Sequence, residues 1–189
     1  MIEMTNVLVN YNSKSKPSVK AQTIAAIAAI AAAVALPQLF HAVGAVSGLG
    51  TALGETFLPM HLPIILVGLF AGPVAGAVSG ALGPLLSFML TGMPKIVMLP
   101  FMMIELCVYG IVSGLLRSAK MPCVAKVLIA QVAGRAVRAV AILIGVNMLG
   151  SAMNIAVIWT SIAVGLPGLI LQWALIPLIV YRVDNIAKN

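Results

Sequence analysis

Apolar residues fill six long stretches of the chain, separated by short intervals richer in glycine, proline or charge. The runs fall at about 21–40, 62–71, 74–90, 97–116, 127–146 and 156–181. A bilayer core of roughly 30 Å needs about 20 apolar residues in helical form. Most of the runs approach that length. The second reaches Gly72-Pro73 after only about 12 residues, near 18 Å of helix, so it starts earlier or enters the membrane partway. The pattern predicts an all-α integral membrane protein: a six-helix transmembrane domain over 21–182, preceded by a polar segment at 1–20 and followed by a tail at 183–189.

Composition supports the same class. Of 189 residues, 62% are apolar and 8% charged, with a mean hydropathy of +1.15. A soluble domain carries about 25% charged residues to cover its surface. Soluble enzymes, nucleic-acid binders and disordered chains are excluded on that ground. Glycine and proline are tolerated in membrane helices because neighbouring helices satisfy the freed backbone groups. The polar start and the absence of a convincing cleavage site argue against a secretory leader.

The net charge of +7 is a topology signal. With the N-terminus in the cytoplasm, Lys14, Lys16, Lys20, Arg117, Lys120, Lys126, Arg182 and Lys188 all lie inside, and Lys95 alone lies in an outer loop. This asymmetry obeys the positive-inside rule and puts both termini in the cytoplasm of a multi-pass cell-membrane protein. It leaves no basic patch for nucleic acid.

Small residues recur at helical spacing. Ala25, Ala29 and Ala33, with Ala28 and Ala32, form AxxxA rows in the first span; Gly72, Gly76 and Gly80, and Gly110 and Gly114, form GxxxG rows in the third and fourth. Such rows let helix backbones approach closely. The glycine rows are expected to pack within the bundle. The first span has more small face than an internal neighbour requires, so Ala25, Ala28, Ala29 and Ala32 are candidates for a partner surface.

Three charges fall inside the spans: Glu105, Arg135 and Arg138. A charge at a membrane helix centre costs at least about 2.5–3.5 kcal/mol and marks function by default. At 1.5 Å per residue, Glu105 and Arg138 each lie ~12 Å from the outer surface and Arg135 ~16 Å. Glu105 can therefore pair with either arginine. One positive charge remains over, and a carboxylate would neutralise it, since a guanidinium fork matches carboxylate geometry. The alternative is a fixed ion pair with the second arginine held by backbone carbonyls. Gln131 shares a helix face with the arginines, and Tyr109 shares one with Glu105. Asn154 and Trp159 lie in the outer half of the last span, Trp159 either in a pocket or in an aromatic belt. The candidate substrate-binding residues are thus Glu105, Tyr109, Gln131, Arg135, Arg138, Asn154 and Trp159.

The remaining chemistry is sparse. His61, at a span start, is expected to make an interfacial hydrogen bond rather than bind a metal. Pro167 is expected to kink the last span. Cys107 and Cys123 lack CxxC spacing and read as small buried hydrophobes. There is no GxSxG, HExxH or P-loop spacing, so the chain reads as neither an enzyme nor a cofactor protein. Active transport would require a partner that binds ATP.

LPMHLPIILVGLFAGPVAGAVSGALGPLLSFMLTGMP at 58–94, MMIELCVYGIVSGLL at 102–116, AGR at 133–135 and PGLILQ at 167–172 carry a resemblance. With the alanine-rich first span, they make the chain similar to the S components of energy-coupling factor (ECF) vitamin transporters. The resemblance implies a six-helix subunit that captures a vitamin in the outer half of the membrane. It implies a transmembrane coupling subunit docked on helix one through Ala25, Ala28, Ala29 and Ala32, and two ATPase subunits that use the ATP. Loops at about 41–59 and 91–96 would cover the site, the first made mobile by Gly44, Gly48, Gly50 and Gly54. Among family substrates the surplus arginine favours a carboxylate, and the pantothenate-type resemblance makes pantothenate the first choice. Cobalamin, folate and hydroxymethylpyrimidine follow. The competing classes are a ligand-free assembly subunit and a self-sufficient secondary transporter.

Overall fold

The computed structural model describes residues 17–186, so Lys14, Lys16, Lys188 and most of the two flanking segments lie outside the described residues. The described chain is helical: α1 (Val19–Val46), α2 (Ala52–Phe57), α3 (His61–Ala71), α4 (Pro73–Thr91), α5 (Leu99–Leu115), α6 (Cys123–Met148) and α7 (Val157–Ile186), with a 3-10 turn at Leu116–Ser118. Helices satisfy every backbone group within the segment, which an apolar surrounding demands. Six segments are long and apolar enough to cross a membrane, the second of them Ala52–Ala71, made of α2 and α3 together.

The second span therefore starts earlier than its apolar run, and it is broken. Leu58 ends α2 in the left-handed region at φ 50°, an uncommon conformation for a residue with a β-carbon. The predicted loop at 41–59 shrinks accordingly. His41 lies inside α1, which continues to Val46, and α2 occupies 52–57, so the turn is confined to 47–51. Gly48 and Gly50 make that turn at φ 74° and 56°, values that glycine adopts without a steric penalty. Span six also runs longer: α7 continues to Ile186, with Pro167 and Pro177 inside the helix. Lys126 is not in a loop. It lies in the first turn of α6, buried, with Nζ donating to the Arg117 carbonyl at 2.9 Å.

Helix α3 is the centre of the bundle. Its apolar residues go all round, as a helix without a wet face requires, and Ile64, Ile65 and Leu69 pack with Leu106, Tyr109, Val127 and Ile176. The glycine rows do pack within the bundle. A β-carbon on Gly110 would collide with the backbone of Gly76, and one on Gly80 with the backbone at Leu106. Gly114 meets the Gly72-Pro73 junction in the same way.

The alanines of α1 divide between two faces. Ala26 and Ala29 are buried against Val67, Ala71 and Ala75, Ala33 is fully buried, and Ser79 donates to the Ala26 carbonyl. Ala21, Ala28 and Ala35 are exposed, with Ala25 and Ala32 at the margin. Ala29, one of the four candidate partner residues, thus faces the bundle interior. The reason is helical phase: positions 26, 29 and 33 share one side, and 21, 28 and 35 the opposite one.

Candidate binding cavity

A cavity of about 520 Å³ opens between α1, α2, α4, α5, α6 and α7. Pro37 and His41 lie near the end of α1, Met98 and Met102 near the start of α5, and Val157 to Val164 at the start of α7. It therefore occupies the bundle end opposite Lys20, Arg117, Lys126 and Arg182. The volume lies within the roughly 300–1,000 Å³ typical of small-molecule sites.

Glu105 sits in its floor, with no exposed surface. Tyr109, one turn on along α5, donates to Oε1 at 3.0 Å. Arg138 of α6 donates through Nη1 to Oε2 at 2.9 Å, and its Nη2 approaches the Met98 sulfur at 3.2 Å. Arg135 comes to Oε1 as well, with Nε at 3.1 Å, but that nitrogen is not aligned for a hydrogen bond. Arg135 Nη1 instead donates to the Ser161 carbonyl and hydroxyl, both at 3.3 Å. Glu105 is thus shared by the two arginines rather than assigned to one. One carboxylate between two guanidiniums leaves a formal charge of +1, and Arg135 Nη2 is buried without a partner among the described residues.

The other sequence candidates lie apart from the opening. Tyr109 is fully buried behind Glu105. Gln131 donates to Gln172 Oε1 at 3.0 Å and accepts from Trp173 Nε1 at 2.6 Å, and Gln172 Nε2 in turn donates to the Leu58 carbonyl at 3.2 Å. This chain ties α6 and α7 to the break in span two. Asn154 caps the approach to α7 through the Ala156 amide at 2.8 Å and is exposed. Trp159 is 74% exposed, facing away from the cavity. Its neighbours Val157, Thr160, Ser161 and Val164 form the wall in its place, and their i, i+3, i+4, i+7 spacing was a readable sign of a shared face.

Sequence reasoning missed three components. Met60, Met93, Met98 and Met102 line the wall, and no phenylalanine, tyrosine or tryptophan does. Lys95 and Glu55 stand in the lining. His61 also lines the cavity, 3% exposed, with no hydrogen bond to either ring nitrogen among the described residues. It is an interior residue and not an interfacial one. No sequence signal could separate these outcomes for a histidine at a span start.

The arginines and Glu105 hold one another, and a small molecule in the cavity would meet an unpartnered guanidinium nitrogen and a flexible thioether wall. Residues 23–180 match the family model described as ECF transporter, substrate-specific component. No curated protein and no solved structure matches the chain. The matched region takes in the cavity residues and runs from early in α1 to late in α7, so the chain belongs to the family of substrate-specific components of ECF transporters.

Proposed function

We propose that the protein captures a small vitamin bearing a carboxylate, pantothenate first among the candidates, in the cavity floored by Glu105, Arg135 and Arg138. The unpartnered Arg135 Nη2 beside a net positive charge carries this reading. A buried donor left unmet costs about 1–3 kcal/mol, and a ligand carboxylate would meet it. Wall chemistry supports the choice. With no phenylalanine, tyrosine or tryptophan in the lining among the described residues, a flat pterin or flavin finds only the imidazoles of His41 and His61 to stack on, whereas methionines adapt to an aliphatic body. A corrinoid is far larger than a cavity of about 520 Å³. Hydroxymethylpyrimidine has no carboxylate to offer the arginine.

In this reading both termini are cytoplasmic and the cavity faces outward. A transmembrane coupling subunit docks on the exposed alanine face of α1, centred on Ala28 with Ala25 and Ala32 at its edges, and two ATPase subunits use the ATP. Purified protein titrated with pantothenate in a calorimeter should bind with a Kd in the micromolar range or tighter. Failure to bind pantothenate, with heat from another vitamin, would overturn the substrate. Uptake into liposomes by this chain alone, without ATP, would replace the subunit reading with a secondary transporter.

A further inference from the structure

We infer that His61 is a ligand-contacting residue that reads a hydroxyl group of the bound carboxylate, an assignment that rests on the proposed function above. His61 opens α3 just after the break at Leu58 and lines the cavity at 3% exposure. Tyr109 is packed against its ring, centroids 5.4 Å apart, so the imidazole is held in place. Neither ring nitrogen completes a hydrogen bond. The Leu58 carbonyl lies beside the ring but outside hydrogen-bond geometry.

The geometry names the missing group. His61 Nε2 stands 3.9 Å from Glu105 Oε1, too far for a direct hydrogen bond, whose N···O distance is about 2.7–3.2 Å. One oxygen atom at about 2.8 Å from each would bridge them. A neutral imidazole presents either an N–H or a lone pair at Nε2, and only a group that both donates and accepts answers either form. A ligand hydroxyl is such a group, and it would stand where a water molecule otherwise bridges the two. It can donate to the Glu105 carboxylate while accepting from the ring, or donate to the ring itself. Oε1 has room for it, because Tyr109 is its only aligned donor among the described residues. The ligand is then a small hydroxy acid derivative: carboxylate toward Arg135, hydroxyl between His61 and Glu105, aliphatic body against the methionines.

The test compares two probes, pantothenate and its analogue with both hydroxyls replaced by hydrogen, by calorimetry on wild type, His61→Phe and His61→Gln in detergent micelles. Wild type should bind pantothenate at least tenfold more tightly than the analogue. His61→Phe should lose that preference, read as the ratio of the two affinities within the variant, and His61→Gln, which returns a donor and an acceptor near the Nε2 position, should recover part of it. A His61→Phe protein that keeps the full preference overturns the role of His61, as does equal binding of both probes by wild type; in each case the carboxylate reading stands. Wild type that binds neither probe overturns the pantothenate reading and the hydroxyl assignment together. If His61→Phe does not fold, the wild-type comparison and His61→Gln decide: a Gln variant whose preference is reduced from the wild-type value supports the role, and one that keeps the full wild-type preference overturns it.

Discussion

Arg138 and Glu105, on neighbouring helices, form the shortest ion pair at the cavity: Nη1 to Oε2 at 2.9 Å, both side chains buried. Arg135 reaches the other oxygen of the same carboxylate but spends its aligned donor on Ser161. The two arginines therefore have different duties despite their three-residue spacing. Arg138 holds α5 to α6, and Arg135 has a nitrogen to offer a ligand.

That division predicts distinct variants. Glu105→Gln leaves two buried guanidiniums without their shared carboxylate and should destabilise by about 3–5 kcal/mol. Arg138→Ala removes the tie between α5 and α6 but leaves Glu105 balanced by Arg135 at 3.1 Å, and should destabilise by less. Arg135→Ala removes less structure and should chiefly weaken a carboxylate ligand, by about 1.5–3 kcal/mol or roughly ten- to hundredfold in Kd. Thermal unfolding in detergent and calorimetric titration separate the two. Equal stability losses with unchanged affinity in Arg135→Ala would remove the anion role.

The contact of α4 with α5 depends on glycine at one crossing. Gly110→Ala drives a methyl group into the Gly76 backbone, and overpacking of this kind costs about 1–3 kcal/mol or more. The variant should lose yield and melt earlier, and Gly76→Ala should do the same. Gly92→Ala, at φ 72° with open space around it, is strained by backbone conformation alone and should cost less than either.

On α1 the alanines should respond by face. Ala33→Leu enlarges a fully buried residue and should destabilise the isolated protein by about 1–3 kcal/mol. Ala28→Leu lies on the exposed face and should change stability by less than about 0.5 kcal/mol, while reducing co-purification with a coupling subunit and vitamin uptake in cells. Normal uptake by Ala28→Leu would move the docking surface elsewhere.

Orientation can be read by labelling. In a background with Cys107 and Cys123 replaced by alanine, a Lys95→Cys variant should react with a membrane-impermeant maleimide in whole cells. Lys120→Cys should react only after the membrane is opened. The reverse pattern would invert the topology.

Much of the fold was legible because a bilayer leaves a chain few choices. Six apolar runs meant six helices, since only helices and closed barrels satisfy the backbone in lipid. GxxxG spacing marked the glycine rows as packing surfaces, and the structure sets them against each other between α4 and α5. Glu105, Arg135 and Arg138 stood out because burying charge in lipid is costly enough to make each one conspicuous. Boundaries were less legible. The extension of α1 to Val46 and the helix at 52–57 lie in a weakly apolar, glycine-bearing stretch whose helicity comes from tertiary contacts, such as Gly168 against the Thr56 and Phe57 backbone.

What the sequence determined by itself was the class, the number of spans, the intramembrane charges and the family resemblance, all of which follow from composition and from residues near in the chain. Tertiary structure decided what depends on the rotation of one helix against another. It turned Ala29 inward and Ala28 outward, put Trp159 outside and Ser161 inside, shared Glu105 between two arginines, and buried His61 beside that carboxylate. Helical phase can be counted along a sequence, but the direction in which a helix faces its neighbours is set only when all of them pack together.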